Sequence, residues 1–146
     1  MTDSTLALSQ PLYGATLVEA VKRFFAKYAT FSGRASRSEY WWVAVAFLIV
    51  SVLFGGILAL VLATTGEVQP SGGVRGTGPE IAVLVIFGLL YLAVIIPSIS
   101  VTVRRLHDAN FSGWLYLLHL IPYLGSLIVL ILTILPSKPE GARFDA

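Results

Sequence analysis

The stretch YWWVAVAFLIVSVLFGGILALVLA, residues 40 to 63, decides the fold. Its 24 residues include no Asp, Glu, Lys or Arg, and a hydrocarbon core of about 30 Å needs roughly 20 helical residues. Two more such runs come later in the chain, Ile81 to Val103 with 23 residues and Trp114 to Leu135 with 22. Each is long enough to cross once and too short to cross twice. Lipid offers the backbone no hydrogen-bond partners, so each crossing has to be helical. Of the 146 residues, 56% are hydrophobic and 12% charged. As buried helices of a soluble protein, three such runs would leave too little polar surface to cover them. The expectation is an all-α integral membrane bundle of three transmembrane helices, at 40–63, 81–103 and 114–135, within one membrane domain over 16–144.

Charge sets the orientation. Lys22, Arg23, Lys27, Arg34 and Arg37 precede the first run, and Arg104 and Arg105 lie between the second and third. A three-span layout puts these on one side against Arg75, Lys138 and Arg143 on the other. The positive-inside rule then makes the N-terminus cytoplasmic. Tyr40, Trp41, Trp42 and Trp114 mark the same boundary, where amphipathic rings settle. Pro122 and Gly125 divide the third run, so a re-entrant hairpin is the rival to a kinked full span. Continuous grease from Leu127 to Leu135 favours the full span. No segment reads as a cleavable signal peptide, so the first run is expected to serve as its own insertion signal.

Residues 1–15 read as a disordered lead. Thr16 and Glu19 fit a capping box, opening an interfacial helix over 16–31. On a helical wheel, Leu17, Val18, Val21, Phe24, Phe25 and Tyr28 share one arc, opposite Glu19, Lys22, Arg23 and Lys27. Such a basic amphipathic helix lies in the headgroup plane of an anionic leaflet; packing on a soluble partner is the plainer reading. Gly33 is a suitable stop. Ser36 and Glu39 repeat the capping pattern before the first run. Ser51, Gly55, Ala59 and Ala63 form a small-residue stripe that favours close approach of another helix, preferentially one of the other two runs. Residues 64–79, with five glycines and two prolines, read as a flexible loop. Pro97 and Pro122 are expected to bend their helices.

These residues add up to a resemblance. FSGRASRSEYWW at 31–42, IIPSISVTVRRLHDANFSGW at 95–114, IP at 121–122 and SKPEGARF at 137–144 resemble a family of small bacterial inner-membrane proteins catalogued as domain of unknown function 805. The likeness covers about residues 20–144, and RRLHD with SGW is its most specific part. His119 and the glycine-rich loop do not belong to the pattern. The resemblance implies a bacterial inner (plasma) membrane location and three or more helices, and supplies no activity.

Two polar constellations are candidates for function. If the second helix reaches the interface, Arg104, His107 and Asp108 share a face at i, i+3 and i+4, with Arg105 turned toward the membrane edge. Asn110 can leave the helix left-handed and Ser112 can cap the third run. Arg34, Arg37 and Glu39 lie at nearly the same depth. The inference is a cytoplasmic cap in which Asp108 and Glu39 pair with some of Arg34, Arg37, Arg104 and Arg105. The plain reading is that these arginines set topology and the acids orient them. The sharper one is an anion site, since arginine forks suit phosphate oxygens and basic pockets on this side hold anionic lipid. Catalysis fits poorly, because His107 and Asp108 are neighbours that point apart and no nucleophile is placed. No cofactor is implied, and two histidines twelve residues apart make no metal site. The second constellation is an intramembrane stripe of Tyr116, His119, Tyr123 and Ser126. An intramembrane histidine is a functional candidate by default, although a cross-helix hydrogen bond explains it as simply.

The expected function is therefore non-enzymatic. The chain reads as a membrane interaction or regulatory module, with a basic cap for anionic headgroups, a membrane protein partner or a second copy, and not for nucleic acid. The alternatives are a small transporter or channel subunit using the His119 stripe and, further off, a headgroup-processing enzyme using His107.

Overall fold

The structure, a computed structural model, describes residues 10–68, 74–75 and 78–145. It divides into two compact units, one of Met1–Ala46 with Ile96–Ala146 and one of Phe47–Ile95. Helix α1 spans Leu17–Ala26 and opens as its sequence predicts. The Thr16 hydroxyl accepts from the Glu19 amide, and the Glu19 carboxylate accepts from the Thr16 amide at 2.9 Å. Each side chain thus satisfies a backbone donor that a helix start leaves bare. Ala20 and Phe24 are buried, whereas Val18 and Phe25 are 60% and 53% exposed.

Helix α2, Arg37–Thr65, begins with a second reciprocal box. The Ser36 amide donates to Glu39 Oε2 at 2.8 Å, and the Glu39 amide to Ser36 Oγ at 3.1 Å. Helix α3 runs Pro79–Asp108 with Pro97 inside it. Both are long and apolar enough to cross a membrane, and their most apolar stretches bury 0% and 6% of their residues. Helices of a soluble core would be covered; these present grease outward.

In the Phe47–Ile95 unit, the Phe54 and Phe87 rings stack at 3.7 Å. The expected loop 64–79 is shorter and partly ordered. Thr64 and Thr65 continue α2, Pro79 already belongs to α3, and β1 (Glu67–Val68) pairs antiparallel with β2 (Val74–Arg75). Residues 69–73 and 76–77 lie outside the described residues. The stripe Ser51, Gly55, Ala59 and Ala63 does not pack on another run of this chain. All four positions are exposed, and a side chain at Gly55 would meet nothing within 4 Å.

The third apolar run departs most from expectation. It is not one kinked crossing but two short pieces, a 3-10 helix at Gly113–Leu120 and helix α4 at Leu124–Ile134. Between them the Leu124 amide donates to the Pro122 carbonyl at 2.6 Å, and Tyr123 takes φ 58°, ψ −59°. That is a tight three-residue γ-turn of the strained kind. The two pieces press together at Gly125, where any Cβ would overlap the Leu118 carbonyl. Both ends of the run touch the end of α3. A Cβ at Gly113 would stand 3.0 Å from His107 Nε2, while Arg105 Nε donates to the Thr133 carbonyl at 3.0 Å. A segment that leaves and returns at one helix end is a re-entrant hairpin, so α2 and α3 are the only spanning candidates among the described residues.

Candidate functional site

The hairpin's return brings the tail onto the cap. The Lys138 amide donates to the Asp108 carbonyl at 2.8 Å, and a second 3-10 helix, Pro139–Phe144, lies against the end of α3. Gly141 permits this approach, since a Cβ there would stand 2.5 Å from the His107 carbonyl oxygen. The Phe144 ring stacks on His107 at 4.0 Å, nearly parallel. The connection between α1 and α2 is tied to the same helix. The Ala35 amide donates to the Arg104 carbonyl at 3.0 Å, and the Ser100 hydroxyl lies 3.1 Å from the Lys27 carbonyl and 2.5 Å from that of Thr30. Gly33, at φ 80°, makes the turn that its sequence position suggests, and Asn110, at φ 65°, ends α3 left-handed.

All seven cap candidates, Arg34, Arg37, Glu39, Arg104, Arg105, His107 and Asp108, fall in this unit, but the pairings differ from those expected. Arg105 does not face the membrane edge. It is fully buried and pairs with Asp108, while its remaining donors reach the Thr133 and Leu135 carbonyls. The hairpin occupies the side that lipid was expected to fill, and Arg105 serves the bare carbonyls at the end of α4. Asp108 also accepts from Ser137 Oγ and from Tyr13 OH, the latter at 3.1 Å. Burial and then the Asp108 charge raise the Tyr13 pKa.

Glu39 pairs with Arg23, not with an arginine of either expected motif. Its other oxygen, Oε2, accepts from the Leu12 and Ser36 amides at 3.1 and 2.8 Å. Arg34 makes a fork to Asp145, with Nε at 2.8 Å and Nη2 at 2.6 Å from the carboxylate oxygens, and these bonds raise its pKa. Arg37 donates to the Leu135 carbonyl at 3.0 Å and stays exposed. His107 Nδ1 lies 3.1 Å from the Gly33 carbonyl, an acceptor, so Nδ1 carries the proton and Nε2 faces Gly113. His107 and Asp108 therefore serve different partners.

Three participants escaped the sequence reading. Asp145 and Phe144 arrive through the hairpin's return. Lys27, assigned to the polar side of the helical wheel, is 1% exposed. It sits at the C-cap with φ −106°, ψ 38°, so it has left the wheel. The lead of residues 1–15 needs correction too. Residues 1–9 lie outside the described residues, but Leu12, Tyr13 and Ala15 are hydrogen-bonded into the cap.

The second constellation does not form a single stripe. Tyr116 and His119 share the 3-10 helix, their rings 4.7 Å apart, and His119 Nδ1 lies 2.9 Å from the Tyr116 carbonyl. Tyr123 projects from the γ-turn, 93% exposed, and Ser126 is exposed on α4. The histidine's hydrogen bond is local rather than between helices. Among the described residues, no cluster of three His, Cys, Asp or Glu could hold a metal ion.

The chain belongs to the family described as "Protein of unknown function (DUF805)", whose model matches residues 28–146. It is 37% identical over 117 residues to the inner membrane protein YhaH of Escherichia coli K12, covering 80% of this chain and 85% of that protein. It is 31% identical over 105 residues to the inner membrane protein YhaI of the same strain, covering 71% and 73%. No solved structure gives a significant match.

Proposed function

We propose that this family member is a non-catalytic inner-membrane module, spanning twice through α2 and α3, with its cap on the cytoplasmic face against an anionic leaflet. The carrying observation is the placement of charge. Nine of the ten Lys and Arg, all but Arg75, belong to the unit that holds the cap. With the re-entrant hairpin the tail lies on the same side, which strengthens the positive-inside bias beyond that of three spans. Lys22, Arg37, Lys138 and Arg143 are exposed there, and Trp41, Trp42 and Trp114 are exposed in the same unit. The buried arginines work differently: Arg105 holds the hairpin, and its role is architectural.

Against an enzyme stands the commitment of each candidate group. His107 is engaged by Gly33 and covered by Phe144, and the Ser112 hydroxyl accepts from the Trp114 amide. Tyr116 and His119 fall on a different segment from Tyr123 and Ser126, which removes the aligned stripe that a transport path would use.

Single cysteines test the topology, since the chain has none of its own. Lys22→Cys and Lys138→Cys should react with an impermeant reagent from the cytoplasmic side alone, and Thr64→Cys from the opposite side. Labelling of positions 22 and 138 from opposite sides would reject the two-span module. In nanodiscs, charge reversal at Lys22, Lys138 and Arg143 should lower the enrichment of phosphatidylglycerol about fivefold per residue, the equivalent of ~1 kcal/mol for each surface cation. Unchanged enrichment would reject the leaflet contact.

A further inference from the structure

One pair of cations in the cap has no counterpart. Lys27 and Arg104 are each 1% exposed. Lys27 Nζ and Arg104 Nε and Nη2 are buried without a hydrogen-bond partner among the described residues. The nearest carboxylate is spent: Glu39 gives one oxygen to Arg23 and the other to two backbone amides. With Arg23 and Glu39 cancelling, two buried positive charges remain. Leaving such charges unpaired in a low-dielectric site costs several kcal/mol per ion.

The unsatisfied atoms have a shape. Nε and Nη2 form the edge of a guanidinium that grips two oxygens at once. Arg34 uses that same edge on Asp145. On Arg104 the edge is unused, and Lys27 lies close enough for the Arg104 charge to join burial in drawing its pKa down to about 7. Two positive charges with a fork and an ammonium match one acceptor group, a dianion with three oxygens. A phosphomonoester is that group, with about −1.5 to −2 charge at pH 7; a carboxylate would leave one cation unmatched.

We propose that Lys27 and Arg104 form an occluded seat for a phosphomonoester dianion, with Arg104 gripping two oxygens and Lys27 the third. The oxyanion comes either as inorganic phosphate or on a lipid, as in phosphatidate. The seat does not depend on the exposed cations of the leaflet contact, because Lys22, Lys138 and Arg143 take no part in it. Covered by the α1–α2 connection that Ser100 and the Arg104 carbonyl hold down, the bound group exchanges slowly and accompanies the protein.

The test uses the full-length protein in detergent and its Lys27→Met variant, which keeps the side-chain length and removes one of the two charges. Phosphorus analysis of the purified wild type should find about one equivalent of phosphate or phosphatidate per chain, falling at least tenfold in Lys27→Met. Exhaustively exchanged wild-type protein should then be melted with inorganic phosphate, with phosphatidate micelles and with phosphatidylglycerol micelles. A rise in Tm with phosphate identifies a free anion, and a rise with phosphatidate alone identifies a lipid; either supports the seat if Lys27→Met lacks it. A rise confined to phosphatidylglycerol, or one equal in both proteins, overturns it. So does purified wild-type protein that carries no phosphorus and melts below Lys27→Met whatever is added. An Arg104→Lys variant, which keeps the charge and loses the fork, should weaken the effect at least tenfold and separates fork recognition from charge alone.

Discussion

Asp108→Asn is the most incisive perturbation of the cap. The carboxylate is fully buried and accepts from Arg105, Ser137 and Tyr13. Asparagine keeps the outline but removes the charge and turns an amide toward groups that are themselves donors. Arg105 would remain fully buried without a counterion, and breaking a buried pair from one side costs about 3–5 kcal/mol. At roughly 3 °C per kcal/mol for a domain of this size, Tm should fall by about 10–15 °C. The assay is thermal unfolding in detergent followed by tryptophan fluorescence, beside limited proteolysis of the tail, which should be cut faster in the variant. Tyr13→Phe removes one neutral donor and should cost only about 1 kcal/mol. The double variant Arg105→Met with Asp108→Leu should recover part of the loss, because no charge is stranded. It should not recover all of it, because the Thr133 and Leu135 carbonyls lose their donor. An Asp108→Asn protein melting within about 2 °C of wild type would refute the reasoning.

Three further outcomes are expected. In phosphate-free buffer, Lys27 is charged below its folded pKa of about 7 and neutral above it, while the unfolded lysine keeps its proton to near 10.5. The unfolded state therefore binds more protons between those values, stability rises with pH across that window, and the rise should be absent from Lys27→Met in parallel melts. Gly141→Ala should push the tail off the His107 carbonyl at a cost of about 1–3 kcal/mol, seen as earlier proteolysis after residue 136. Tyr123→Gly should stabilise the hairpin by about 1 kcal/mol, since its backbone angles suit glycine and its ring is 93% exposed; a lower Tm would show that the tyrosine side chain holds the turn.

Much of this was legible in the residues and some was not, for physical reasons. Both capping boxes, the left-handed Asn110, the Ser112 cap and the meeting of GRASRSE with RRLHD follow from local chemistry, in which a side chain within four residues meets a backbone need. The third run misled because apolar continuity says how long a segment is, not whether it turns. Gly125 carried the signal, a position beside a proline where a helix needs no glycine and a backbone pressed close does. The direction assigned to Arg105 assumed lipid beside α3, so the error about the hairpin became an error about the arginine. Lys27 was misplaced because a wheel extrapolates past the residue where the helix stops. Asp145 was beyond reach, because charge alone does not select one carboxylate for Arg34 from the eight in the chain.

The fork between Arg34 and Asp145 joins residues 111 positions apart. At about 5–20 residues per second of synthesis, the arginine waits roughly 6 to 20 seconds for its acid. For that interval the guanidinium lies on a nascent membrane protein whose helices are already emerging, and its positive charge can help hold the early segments on the cytoplasmic face. Orientation would then be decided before the lock closes, and the late carboxylate would seal a choice already made.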